Sequence, residues 1–210
     1  MIRTKFILGV IGISLLGSGS ALVFAQDAPP PMTFFITSNG PGNGGDLGGL
    51  AGADAHCQML ADEAGAGDHT WRAYLSTQGE NAVNARDRIG AGPWHNARGV
   101  QVGADIDQIH GITHAFTMDR MLTEEADLIP NGNFSPNRHD TLTGSMLDGM
   151  GYPAGEDMTC NNWTSSNEGK ARVGHHDRAQ WNSAHNSQGC TQANLRGSGG
   201  DGLFYCFAAE

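Results

Sequence analysis

The segment 174–190, GHHDRAQWNSAHNSQGC, carries side chains that bind metal ions. They are the imidazoles of His175, His176 and His185 and the carboxylate of Asp177, which are ligand types that zinc takes in proteins. Adjacent side chains on a strand point to opposite faces, so His175 and His176 bind one ion only if the chain turns between them. These four residues are the candidate metal ligands of the sequence.

A complete zinc site would also need His185, His139 or Asp140 to be brought close to this segment by folding. Such a site would suit a metal-binding protein or a metal-dependent hydrolase. The sequence contains neither the H-E-x-x-H zinc motif nor the G-x-S-x-G nucleophile motif, so hydrolysis is the weaker of the two expectations.

Several side chains in the polar loops have the chemistry of a carbohydrate site. An aromatic face packs on the apolar side of a sugar, while amides donate to and accept from hydroxyl groups. The residues with these properties are Asn137, Asn161, Asn162, Trp181, Asn182, His185 and Asn186. Since binding sites usually lie on loops of a rigid scaffold, the sequence predicts a non-catalytic recognition module for a neutral glycan or an extracellular or envelope protein.

The same polar residues also have a structural explanation. Buried polar groups need partners, and a long loop must find them in side chains. His176, Asp177, Arg178 and Asn182 could pair with one another and hold the loop in one conformation. The protein would then be a passive component of the cell envelope.

The N-terminal residues read as a secretory signal. Arg3 and Lys5 precede an apolar run, and Val23-Phe24-Ala25 fits a signal peptidase site. We expect an exported protein, periplasmic or secreted, with no membrane span once the signal is removed. The expected organisation is a signal peptide at 1–25, an extended leader at 26–33 and one domain at 34–210.

The charge balance argues against nucleic acid as a partner. The full chain has 12 Lys and Arg against 22 Asp and Glu. Removing Arg3 and Lys5 with the signal leaves 10 basic residues, so the formal charge becomes −12. A surface this acidic repels phosphate backbones.

Few regular elements are predicted, because 31 glycines interrupt the chain. Residues 32–37 are aromatic and β-branched and read as a strand, and 71–75 alternate as a half-buried strand does. Apolar spacing predicts a helix over 50–64, ended by Gly65. The last strand, GLFYCFA, is apolar on both faces and is expected at the centre of a sheet.

Four cysteines, Cys57, Cys160, Cys190 and Cys206, lie in the exported part. An even number in an oxidising compartment predicts two disulfides, and the wide spacing lacks the close pairs of a structural zinc site. Spacing alone leaves all three pairings open.

A combination of short motifs resembles the endostatin domain of collagens XV and XVIII, a variant of the C-type lectin-like fold. The motifs, in chain order over 34–208, are Gly52-Ala53-Asp54 with Cys57, WRAYLS at 71–76, ARDR at 85–88 with Pro93 and Asn96, TGS at 143–145, CNNW at 160–163, and Cys190 with LFYCFA. The resemblance implies an α+β, loop-rich domain. It also implies adjacent first and last strands and nested disulfides Cys57–Cys206 and Cys160–Cys190.

Function transfers less readily from this resemblance. Endostatins bind heparan sulfate through arginines and zinc through N-terminal histidines, and this acidic chain matches neither feature. C-type lectins hold calcium with Glu-Pro-Asn and Trp-Asn-Asp segments. Here Pro136-Asn137 and Trp181-Asn182 are similar, but Ser135 and Ser183 stand where those carboxylates would be. Calcium and zinc are the two ions that the residues suggest, and neither is required.

Overall fold

The structure is a computed structural model that describes residues 28–210. The expected signal peptide and the first leader residues lie outside the described residues, and residues 28–33 have no regular secondary structure. Within 28–210, no helix is both long and apolar enough to cross a membrane.

The described chain is a mixed α+β structure of short strands and few helices. The strands are β1 (Phe34–Ile36), β2 (Trp71–Ala73), β3 (Trp94–His95), β4 (Gln101–Gly103), β5 (Asp140–Leu142), β6 (Arg172–His175), β7 (His185–Asn186) and β8 (Gly200–Ala208). The helices are α1 (Gly49–Glu63), α2 (Ile106–His110), α3 (Cys160–Trp163) and α4 (Gln192–Ser198), with a 3₁₀ turn at Ala85–Asp87. The expected α+β class is therefore confirmed.

The long strand β8 organises the main sheet. It is antiparallel to β1 and β2 and parallel to β5. The order along the sheet is β1-β8-β5-β6-β7, with β2 paired to β8 outside this path. The first and last strands are thus adjacent, as the resemblance implied, and the last strand is central, as its apolar sequence predicted.

Apolar side chains are buried on both sides of β8. Phe204 packs in one core cluster with Trp71, Trp163 and the four cysteines. Tyr205 packs in a second cluster with Phe34 and other aromatic residues. Successive side chains of a strand point to opposite faces, so one apolar strand supplies both cores.

Two disulfides connect these elements. Cys57 on α1 bonds to Cys206 on β8, and Cys160 bonds to Cys190. This nested pairing confirms the one that the resemblance implied. The helix α1 lies one residue earlier at each end than expected, and Gly65 follows it at a φ of 77°.

The far edge of the sheet brings polar segments together. In the antiparallel pairing of β5 with β6, Asp140 lies directly opposite His175. In the pairing of β6 with β7, Val173 lies opposite His185. His175 and Val173 are two residues apart and share a face, so His185 is a diagonal neighbour of His175.

Candidate functional site

The predicted glycan residues do not form one surface. Trp181 is 2% exposed, its indole N–H donates to the carbonyl of Ile109 at 2.9 Å, and its ring lies 4.5 Å from that of Phe116. The expected aromatic face is therefore inside the second core cluster. A large apolar ring gains more by burial there than on a loop surface.

Asn182 has a structural position as well. It is 1% exposed, and its amide nitrogen lies 2.9 Å from the hydroxyl of Tyr74 and 3.1 Å from the carbonyl of Met146. An amide held by internal acceptors is not available to a calcium ion or a sugar. The calcium arrangement suggested by Trp181-Asn182 is therefore not formed at the surface.

Two further predicted amides support the loops that carry them. The side-chain oxygen of Asn137 accepts from the backbone N–H of His139 at 3.2 Å. The side-chain oxygen of Asn186 accepts from the guanidinium of Arg172 at 3.2 Å. Both contacts order the sheet edge near β6.

Asn161 and Asn162 border a surface depression of about 320 Å³, here called the Gln78–Asn161 depression. Its lining includes Gln78, Ala154, Gly155, Asp157, Asn161 and Asn162. Asn162 exchanges two hydrogen bonds with the backbone of Gln78, at 2.7 and 3.0 Å, while Asn161 is exposed at the rim. Asn162 thus builds the depression, and Asn161 faces solvent beside it.

The turn α3 that carries these residues has an unusual backbone. All four of its residues have positive φ, from 48° at Cys160 to 66° at Trp163. Left-handed backbone costs a non-glycine residue roughly 1–2 kcal/mol, although asparagine tolerates it better than most. The Cys160–Cys190 disulfide holds one end, and the indole of buried Trp163 donates to the carbonyl of Ser76 at 2.8 Å.

The predicted metal ligands separate into two groups. His175 and His185 meet His139 and Asp140, and these four residues are called the histidine–carboxylate cluster. The Nε2 atoms of His139 and His175 lie 3.1 and 3.3 Å from Oδ1 of Asp140, and Nε2 of His185 lies 3.5 Å from Oδ2. Folding therefore brings His139, Asp140 and His185 close to His175, as the expected zinc site required.

The other two predicted ligands lie behind this cluster or outside it. Oδ1 of Asp177 contacts Nδ1 of His139 at 3.3 Å, so Asp177 supports a member of the cluster instead of joining it. His176 is fully buried, and this burial lowers its pKa to about 4. It belongs to no set of converging ligand atoms in residues 28–210. This agrees with the alternation of neighbouring side chains on a strand.

The charges of the cluster stabilise one another. Contact with the Asp140 carboxylate, the largest influence, raises the pKa of His139. Burial acts most strongly on Asp140 and would raise its pKa, but the surrounding imidazoles outweigh it and the pKa is lowered. Asp140 is therefore a buried anion that faces three imidazole rings.

The sequence indicates His139 and Asp140 only as residues that folding would have to bring to the histidine segment. They precede and begin β5, a three-residue strand with no clear periodic pattern. The one usable signal in the sequence was that His139 and Asp140 are adjacent, in a chain with three more histidines in the segment 174–190.

Comparison with protein-family models and with curated proteins finds no match to this chain.

Proposed function

We propose that this chain is an exported, non-catalytic recognition module that binds carbohydrate at the Gln78–Asn161 depression. The two disulfides support an extracytoplasmic location, because such bonds persist in oxidising compartments. The adjacent first and last strands and the nested disulfides support a C-type lectin-like, endostatin-like frame.

The observation that carries this proposal is the left-handed turn beside a concave polar surface. Strained backbone persists only where its surroundings fix it, and it concentrates at ligand sites. Here Asp157 accepts from the backbone N–H groups of Thr159 and Asn161, at 2.9 and 2.8 Å. The strain is thus maintained by several contacts next to the depression.

The lining chemistry favours a neutral, hydroxyl-rich ligand. The amide of Gln78 is held by the backbone of Pro153, Glu156 and Met158, so the exposed amide of Asn161 is the group that offers a donor and an acceptor to a ligand. The lining residues include no basic side chain. The formal charge of the full chain is −10, which opposes an anionic ligand. A neutral glycan satisfies both conditions.

Replacing Asn161 by glycine tests the proposal with the fold intact. Glycine accepts the φ of 54° at this position, so Asn161→Gly removes the side-chain amide and relieves backbone strain. On a glycan array, we expect the wild-type protein to bind and the variant to bind roughly tenfold more weakly, the loss of about one hydrogen bond. Asn167→Gly, at an exposed residue of the same loop, is the matched control.

Three other results would overturn the proposal, either its site or its ligand. Binding that survives Asn161→Gly would place the site elsewhere on the molecule. A blank array with a specific protein captured by pull-down would indicate a protein partner. Blank results in both assays would favour a passive envelope component.

A further inference from the structure

Three imidazole nitrogens converge on one buried carboxylate at the sheet edge. The side chain of Asp140 is 2% exposed, and each Nε2 atom of His139, His175 and His185 lies within 3.5 Å of one of its oxygens. Neither oxygen of Asp140 has a hydrogen bond of acceptable geometry within residues 28–210. A buried anion without such bonds carries a large desolvation cost, so this position requires a cationic partner.

In His139 and His185, the contact made by Nδ1 determines whether the Nε2 atom that faces Asp140 carries a proton in the neutral ring. Nδ1 of His139 lies 3.3 Å from Oδ1 of Asp177, and Nδ1 of His185 lies 3.0 Å from the carbonyl oxygen of Asn186. Both oxygens can only accept, which assigns the proton of a neutral ring to Nδ1. The lone pairs of the two Nε2 atoms then face a carboxylate, an arrangement that is repulsive unless the rings are protonated or a cation lies between them.

An imidazole oriented by an outer oxygen is the usual state of a histidine that ligates zinc. Asp177 gives His139 a carboxylate partner of this kind, and the backbone carbonyl of Asn186 does the same for His185. The rings of His139 and His175 are stacked at 4.4 Å, so their Nε2 atoms approach the same carboxylate from one side. The cluster therefore has both the inner ligands and the outer supports of a metal site.

Two distances within the cluster agree with tetrahedral coordination. Zinc binds imidazole nitrogen and carboxylate oxygen at about 2.0–2.1 Å, which places neighbouring ligand atoms of a tetrahedron about 3.3 Å apart. The two contacts to Oδ1 of Asp140 are 3.1 and 3.3 Å. Ligand atoms of His139, Asp140 and His175 all lie within 4.8 Å of one another.

We propose that His139, Asp140, His175 and His185 bind one transition-metal ion, with zinc as the expected ion. The three imidazoles favour zinc over calcium and magnesium, which prefer oxygen ligands. His185 has 42% of its side chain exposed and contacts the other oxygen of Asp140, so it would supply the fourth ligand by moving toward the three residues whose ligand atoms already converge. Four protein ligands make a closed site, which is typical of a structural zinc.

The ion would connect three neighbouring strands at the edge of the sheet. Its ligands come from the start of β5, the end of β6 and the two-residue strand β7. The metal therefore fixes the outer edge of the sheet, far in sequence from Cys57. This proposal is independent of carbohydrate binding at the Gln78–Asn161 depression, and either one can fail alone.

Titration of untagged, chelator-treated protein with zinc chloride in a calorimeter tests the site. We expect one ion per chain, and at least roughly hundredfold weaker binding in His175→Ala and Asp140→Asn. Asp177→Asn keeps every ligand but changes the support of His139, so we expect a loss of roughly tenfold. His69→Ala, at a surface histidine outside the cluster, should bind as the wild type does.

Cobalt(II) substitution adds a readout of geometry. Four-coordinate tetrahedral cobalt absorbs visible light far more strongly than six-coordinate cobalt. We expect the tetrahedral spectrum in the wild type and a shifted one in His185→Ala, in which water takes the place of one imidazole. A spectrum of His185→Ala identical to that of the wild type would remove His185 from the ligand set.

Two results of the zinc titrations would overturn the proposal. Stoichiometric zinc binding that is equally tight in His175→Ala would place the ion elsewhere. No zinc binding to the folded wild type would show that the cluster is held by protonated imidazoles instead of an ion. Circular dichroism of each variant distinguishes a lost site from a lost fold.

Discussion

At the scale of single residues, the half-buried His110 makes the stability of the fold depend on pH, away from the proposed metal site. Nε2 of His110 lies 2.7 Å from the hydroxyl of Tyr74, and its Nδ1 lies 2.8 Å from the carbonyl of Ile106. The carbonyl can only accept, so Nδ1 of the neutral ring donates to it and Nε2 accepts from Tyr74. Burial lowers the pKa of His110 and raises that of Tyr74, so it favours the neutral form of both side chains.

This pair predicts a loss of stability in mild acid. The unfolded chain takes up a proton at His110 near its ordinary pKa of 6.5, whereas the folded chain takes it up only at lower pH. The unfolded state then binds more protons, so the free energy of unfolding decreases as the pH falls below 6.5.

Urea unfolding at about pH 7.5 and about pH 5 measures this effect. We expect the wild type to lose more stability between the two values than His110→Gln, in which the titrating ring is replaced by an amide. The difference between the proteins isolates His110 from the other histidines. Equal losses in both proteins would contradict the prediction.

At the scale of elements, β6 packs against the segment that carries Trp181 with no room for a side chain at Gly174. A Cβ atom at Gly174 would overlap the backbone carbonyl of Trp181 and lie 2.7 Å from Cα of Asn182. Both obstacles are backbone atoms and cannot rotate away. Tight packing here keeps Trp181 in the core and positions His175 at the end of β6.

Gly174→Ala should therefore destabilise the protein by about 3 kcal/mol or more, at the upper end of overpacking effects. Gly132→Ala is the matched control, because its Cβ would meet only the amide nitrogen of Asn137, at 3.8 Å. We expect the control to change the free energy of unfolding by less than about 1 kcal/mol. Similar urea unfolding curves for the two variants would show that β6 can move away from Trp181.

At the scale of the whole molecule, the two disulfides close loops of different length. Cys57 and Cys206 are 149 residues apart, and Cys160 and Cys190 are 30 residues apart. In the chain-entropy account, a crosslink stabilises by restricting the unfolded chain, and it does so more for a longer loop. The outer bond should thus contribute more than the inner one.

Paired serine variants measure this difference. We expect Cys57→Ser with Cys206→Ser to lower the free energy of unfolding by about 5 kcal/mol, and Cys160→Ser with Cys190→Ser by about 4 kcal/mol. All four cysteines are fully buried, so the cost of burying serine is similar in both variants. A larger loss for the inner pair would indicate that its main role is to hold the left-handed turn α3.

The sequence by itself determined the elements whose signals are local. The helix over 49–63 follows from apolar residues at three- and four-residue spacing, and it ends where Gly65 takes a left-handed conformation. The central place of β8 follows from its apolar residues on both faces. Four cysteines predicted two disulfides, while their pairing needed the resemblance.

Only the tertiary structure decided which polar residues meet. The strands β5, β6 and β7 have two to four residues each, too few to show a period, and the register of β5 against β6 depends on pairing across more than 30 residues of chain. This register places His139 and Asp140 beside His175, and it leaves His176 outside the cluster. Residue type gave the chemistry of Trp181 and Asn182 but not their depth, because burial is set by packing against distant residues such as Tyr74.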